Sequence, residues 1–153
     1  MTAKLHYRIE RTCAATPQQV YEVLLDIERW PDWMPGIRTA GWERHGAPGS
    51  GVGGIRRFDA PGMSAREEIV AAEPGRRQSY IALSGLPVKD YRADVYLDER
   101  PGGSQITWEA SFDSRILLVG RVIQLVMRST ISRAAAALAK EAERRATRGT
   151  GEG

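Results

Sequence analysis

Hydrophobic periodicity predicts an α+β fold: a seven-stranded, curved antiparallel sheet around one long C-terminal helix, with two short helices between strands one and two. Three observations carry this. Over Ile116 to Arg145, apolar residues recur at steps of three and four, as on a long amphipathic helix. At ~1.5 Å per residue it would be roughly 45 Å long, too long to stay folded with such a face uncovered. Upstream, seven stretches of β character are separated by short Gly/Pro-rich turns, which favour antiparallel neighbours.

Lys4 to Thr12 alternates, with Leu5, Tyr7, Ile9 and Arg11 on one side and His6, Arg8 and Glu10 on the other. Thr16-Pro17-Gln18-Gln19 then opens a helix: Thr16 as N-cap, Pro17 at the first helical position, Gln19 closing a capping box. Its apolar face is Val20, Val23, Leu24 and Ile27. Pro31 and Pro35 stop any long continuation, so a short second helical turn should pack Trp30 or Trp33 inward. The next strands are expected at Ile37–His45, Gly53–Ala60, Ser64–Glu73, Gln78–Ser84, Asp90–Glu99 and Gln105–Phe112. Asp113 or Ser114 is placed to cap the last helix. Its inward face is expected to comprise Val119, Val122, Ile123, Val126, Met127, Thr130, Ile131, Ala134, Ala135 and Leu138. Residues 1–146 read as a single domain and residues 147–153, rich in Gly, as a flexible tail.

The chain has 153 residues, 42% hydrophobic and 27% charged, enough for one ordinary core. One cysteine, Cys13, rules out an internal disulfide and fits a reducing compartment. With no apolar leader at the start, and no stretch apolar enough to insert stably in a bilayer, a cytoplasmic protein is expected. Charge is uneven: residues 115–148 hold eight Lys/Arg and two Glu, while the rest is slightly acidic. The basic helix face is read as solvated. Without interleaved aromatics it does not suggest nucleic acid. A monomer or a homodimer would be compatible with this pattern.

His6, His45 and Cys13 show no metal-ligand spacing, so no metal or cofactor is expected. Gly49-Ser50-Gly51-Val52-Gly53-Gly54 satisfies G-x-G-x-x-G. A dinucleotide site needs a helix after that loop, and Ile55-Arg56-Arg57-Phe58 reads as strand. There is no Ser/His/Asp arrangement. Strand alternation instead puts Ala65, Glu67, Ile69 and Ala71 on one face, and Arg56 with Phe58 on one face of the strand before it. If those faces coincide inside, Arg56 and Glu67 pair in the interior. The other outcome is a cross-strand salt bridge on the outer surface. Tyr91 is the polar-tipped member of an otherwise apolar face with Ala93, Val95 and Leu97, and Tyr80 is similar. Trp108 and Phe112 share an inward face with Ile106 and Ala110.

The order of elements resembles the START-like, helix-grip superfamily, also described as SRPBCC or Bet v 1-like. Thr16-Pro17-Gln18-Gln19-Val20-Tyr21 resembles the opening of its first helix. Trp30-Pro31-Asp32-Trp33-Met34-Pro35-Gly36 is similar to its tryptophan–proline turn, and Glu67 to Gly75 to its glutamate strand and Pro-Gly turn. Ser84-Gly85-Leu86-Pro87-Val88-Lys89-Asp90-Tyr91-Arg92 and Thr107-Trp108 complete the match. Within the superfamily the chain most resembles the bacterial polyketide cyclase/dehydrase-like branch. That resemblance implies a cavity between sheet and long helix for a small apolar or aromatic ligand, lipid- or polyketide-like. The expected lining is Trp33, Arg56, Phe58, Glu67, Tyr80, Tyr91, Trp108, Ile123 and Met127, with Arg56, Glu67 and Tyr91 as the candidates for chemistry. Ligand binding is the leading expectation. The alternatives are a cyclase, aromatase or dehydratase, and a protein or membrane interaction module. The chain contains no Asn, and its inferred inward face has no His, which removes common proton-shuttling groups from the enzyme reading.

Overall fold

The computed structural model describes residues 3–151. Seven antiparallel strands run β1 (Ala3–Cys13), β2 (Thr39–Arg44), β3 (Ile55–Ala60), β4 (Met63–Glu73), β5 (Arg77–Ser84), β6 (Lys89–Arg100) and β7 (Gly103–Ser114). They form one sheet in the order β1-β7-β6-β5-β4-β3-β2. Between the two edge strands lie helix α1 (Pro17–Leu25), a 3-10 turn (Ile27–Arg29) and the single-turn α2 (Trp30–Trp33). The last helix, α3, spans Leu117–Gly151. This is the helix-grip architecture, with short turns from β3 through β7 continuing the meander.

Local chemistry explains the start of α1. The Thr16 hydroxyl accepts from the Gln19 amide at 3.2 Å, and the Gln19 side chain accepts from the Thr16 amide at 2.8 Å. Both bonds satisfy amide donors that a helix start leaves unpaired. Val20, Val23, Leu24 and Ile27 are all buried, and Trp30 is buried while Trp33 is half-buried. The glycine-rich loop leads into β3, not into a helix. Its glycines serve packing: a Cβ on Gly54 would lie 2.6 Å from the Trp42 ring.

Helix α3 departs from expectation in three ways. It starts at Leu117, and Asp113 and Ser114 remain in β7. The Ser114 hydroxyl donates to the Ile116 carbonyl instead of capping the helix. Of the segment 147–153 read as a tail, residues 147–151 continue α3, and residues 152–153 lie outside the described residues. The third difference concerns faces. Val119, Val122, Val126 and Thr130 were expected inward and are exposed. Gly120 is buried here, and Ile123, Gln124, Met127 and Ile131 are half-buried. The face drawn from the sequence spans roughly 220° of the helix, at 3.6 residues per turn, whereas one packed stripe needs little more than 100°. Only packing selects the stripe. Gly120 marks its centre, because a Cβ there would sit 2.5 Å from a Leu5 methyl on β1.

Further along, Ala134, Ala135, Leu138, Ala139 and Ala142 are buried. Small side chains let this half approach closely, while Glu141 locks it electrostatically. Its carboxylate accepts from Arg144 at 2.6 and 2.7 Å and from Arg145 at 2.9 Å, and Arg145 also reaches Asp26 just beyond α1 at 3.0 Å. Hydrogen bonding from Arg144 outweighs the cost of burial and, with Arg145, holds the Glu141 carboxyl at about 2. A depressed carboxylate stabilises the fold above its unfolded pKa of about 4.3 and loses that contribution as pH falls through about 2. Glu141→Gln should therefore flatten the acid limb of a stability–pH curve measured by urea unfolding. An unchanged acid slope would mean that this triad contributes nothing.

Candidate functional site

A polar cluster is buried on the inward face of the sheet. Antiparallel register sets Arg56 of β3 directly against Glu67 of β4. Their side chains are 1% and 7% exposed, and the Arg56 Nε–H donates to Glu67 Oε1 at 2.8 Å. Of the two arrangements compatible with alternation, the interior pair is the one formed. The Arg56 Nη1 group also donates to Gln78 Oε1 on β5 at 3.0 Å. The guanidinium is sandwiched between rings, 4.8 Å from the Trp30 centroid and 4.3 Å from that of Tyr80. Aromatic faces, a carboxylate and an amide oxygen thus replace the water that Arg56 gives up. Burial nonetheless dominates at Glu67, whose carboxyl is raised above the ordinary range despite the opposing pull of Arg56.

Three tyrosines continue the cluster. Tyr7 of β1 and Tyr91 of β6 share a hydrogen bond between their hydroxyls. The Trp108 indole N–H donates to the Tyr80 hydroxyl at 3.0 Å. Tyr91 packs on Tyr80 at 6.4 Å and stacks on Phe112 at 6.3 Å. Burial, more than any other cause, pushes all three phenols up, with the Glu67 carboxylate adding to the effect. They therefore remain protonated donors at neutral pH, suited to polarising an oxygen and unsuited to acting as bases.

The cluster has donor capacity to spare. The buried indole nitrogens of Trp30 and Trp33 and the amide nitrogen of Gln78 have no hydrogen-bond acceptor. The Gln78 amide orientation follows from its oxygen facing Arg56. Leaving buried donors unpaired costs free energy, so two on side chains that touch Arg56, with a third on the neighbouring Trp33, need an explanation.

Of the residues named from sequence, Arg56, Glu67, Tyr80, Tyr91 and Trp108 meet in this interior cluster. Trp33, Phe58, Ile123 and Met127 are half-buried around the same hydrophobic core. Phe58 touches the cluster through Trp30, at 5.7 Å between rings. Two surface cavities, of about 440 and 490 Å³, lie elsewhere, around Arg8 and Arg128. Sequence reasoning did not single out Tyr7, Gln78 or the Trp30 stacking on Arg56. Alternation would have found Gln78, which shares a face with Tyr80 two residues on. The Tyr7–Tyr91 contact needs β1 to pair with β7 and β7 with β6, a closure that no local signal announces.

Comparison with known proteins agrees with the fold. Residues 4–146 match the family model described as polyketide cyclase / dehydrase and lipid transport. The uncharacterized protein Rv2574 of Mycobacterium tuberculosis is 30% identical over 113 residues, and the uncharacterized protein Mb2604 of Mycobacterium bovis matches equally. That stretch is 70% of this chain and 65% of each relative, so the match spans just under two thirds of their length. Among solved structures, the di-domain aromatase/cyclase StfQ of the steffimycin biosynthetic pathway aligns with a TM-score of 0.78 at 15% identity, over 94% of this chain and 52% of that one. The ZhuI aromatase/cyclase of Streptomyces sp. R1128 aligns with a TM-score of 0.70 at 19% identity, over 94% and 96%. Ara h 8.0201 aligns with a TM-score of 0.63 at 16% identity, over 89% and 99%. At such identities the likeness is one of fold.

Proposed function

From its membership of the polyketide cyclase/dehydrase and lipid transport family, to which this chain belongs, we propose that it binds a small apolar or aromatic ligand between the sheet and α3. One observation carries the proposal: two buried N–H donors, on Trp30 and Gln78, stand without acceptors beside the Arg56–Glu67 pair, and a third, on Trp33, adjoins Trp30. A ligand with an apolar or aromatic body and a carbonyl or hydroxyl oxygen supplies the missing acceptors. The half-buried Ile123, Met127 and Ile131 of α3 form the adaptable side of the site, Met127 being suited to repacking around an incoming molecule.

The test is native mass spectrometry of the purified chain with solvent extraction, and a thermal-shift panel of fatty acids, sterols and polyphenols. The expected result is a retained small molecule, or a midpoint raised by at least one ligand class. A protein that carries nothing and shifts with none of them would count against the proposal.

A second reading, catalysis on a polyketide-like substrate, rests on the paired Tyr7 and Tyr91 hydroxyls. Because burial keeps them protonated, one hydroxyl donates to the other and the remaining O–H would polarise a substrate carbonyl. On that reading Tyr91→Phe abolishes turnover while leaving the fold and ligand retention intact. Equal turnover by Tyr91→Phe would leave binding alone.

A further inference from the structure

The geometry points to a docking face for an anionic lipid bilayer on the first half of α3. Leu118, Val122, Leu125 and Val126 are 75%, 56%, 68% and 59% exposed. At 3.6 residues per turn they lie on the side of the helix opposite Gly120, its point of contact with β1. The helix here is apolar on both faces, and only the inner one is covered. An outward apolar stripe roughly 12 Å long, at 1.5 Å per residue, is an unusual feature for a monomer to leave in water.

The charge around the stripe selects its occupant. Arg115, Arg121, Arg128 and Arg133 flank it, and no Asp or Glu occurs from residue 114 to residue 140. None of these four arginines makes an ion pair among the described residues, whereas Arg144 and Arg145 of the same helix do. The cavity of about 440 Å³ adjoins the stripe, and its lining includes Arg8, Glu10, Arg11, Leu125 and Arg128. Arg8 is partly neutralised by Glu10 at 2.9 Å, while Arg11, whose guanidinium donates to the Ser132 hydroxyl, and Arg128 face this groove with no carboxylate partner among the described residues. Arginine beside aliphatic side chains is what a phospholipid surface meets, phosphate against guanidinium and acyl region against Leu and Val.

A second copy of the chain fits less well. Two such helices packed along their stripes would bring eight arginines together with no carboxylate between residues 114 and 140 of either chain, a like-charge arrangement that opposes association. The helix does not span a bilayer: among the described residues no helix is long and apolar enough to cross one. The contact is peripheral, with the helix lying in the interfacial plane. It stands whether or not the interior holds a ligand.

Co-sedimentation of the full chain with vesicles tests this. Vesicles of phosphatidylcholine with about a third phosphatidylglycerol should retain the protein, and pure phosphatidylcholine vesicles should not. Raising salt from 50 to 500 mM, which shortens the Debye length about threefold, should weaken retention. The pair Leu118→Ser and Leu125→Ser, both on exposed positions, should lower the apparent affinity at least tenfold with an unchanged thermal midpoint. If that variant does not fold, Arg121→Gln with Arg128→Gln replaces it and should show a comparable loss. Inorganic phosphate should compete no better than chloride at equal ionic strength. Retention unaffected by either variant, or no retention on phosphatidylglycerol vesicles, overturns the inference. So does a dimer in sedimentation velocity that the serine pair dissolves, since the stripe would then belong to a second copy.

Discussion

Glu67→Ala is expected to cost about 3–5 kcal/mol of folding stability, because it strands a buried guanidinium. Arg56 is 1% exposed, and its only carboxylate partner among the described residues is Glu67, at 2.8 Å. Gln78 and the two aromatic faces remain, but none of them carries compensating charge. Replacing both partners, as Arg56→Met with Glu67→Leu, should be less damaging than the single change, since desolvation of two charged groups is then avoided. Urea unfolding of the wild type, each single variant and the double variant gives the cycle. A single-variant loss below about 1 kcal/mol would mean that water reaches Arg56.

The same pair carries a pH signature opposite to that of Glu141. Burial raises the Glu67 carboxyl in the folded state, so the folded chain holds that proton more tightly than the unfolded chain does. The associated stability is fully present below the unfolded carboxylate pKa of about 4.3 and is lost as pH rises through the raised folded value. Glu67→Gln should remove this slope. Glu67 and Glu141 thus bend the stability–pH curve in opposite directions, one through desolvation and the other through ion pairing.

The second large effect is expected in α3. Leu138→Ala should destabilise by about 2–5 kcal/mol, whereas Leu125→Ala, earlier on the same helix, should stay within about 0.5 kcal/mol. Leu138 is fully buried among the alanines that seat the helix. Leu125 is 68% exposed, so truncating it removes little area that folding had taken from water. The comparison uses one residue type on one helix, which isolates burial from helix propensity. Equal losses at the two sites would show that something covers Leu125 in solution.

This contrast also marks where reading the sequence stops. Strand alternation was legible, because a half-buried strand has a period of two that a single shift would invert. It placed Glu67 with Ile69, Tyr91 with Val95, and Trp108 with Phe112, and all six are buried. The capping box at Thr16 was legible for a similar reason, since its bonds are local. Gln78 and Tyr7 were less so. Their importance comes from the cross-strand partners that closure of the sheet brings to them.

Composition, alternation and turn chemistry by themselves determined the seven strands, the short helices between the edge strands, and the presence of a long final helix. They also showed that Arg56 and Glu67 could meet. Tertiary structure alone decided that they meet inside, because only the β3–β4 register and the covering Trp30 and Tyr80 rings settle which side of the sheet is dry. It also decided which face of α3 turns inward. Apolar residues on opposite sides of a helix satisfy the same spacing, and the choice between them rests on close approach at Gly120 and the alanine run, a long-range contact that periodicity does not encode.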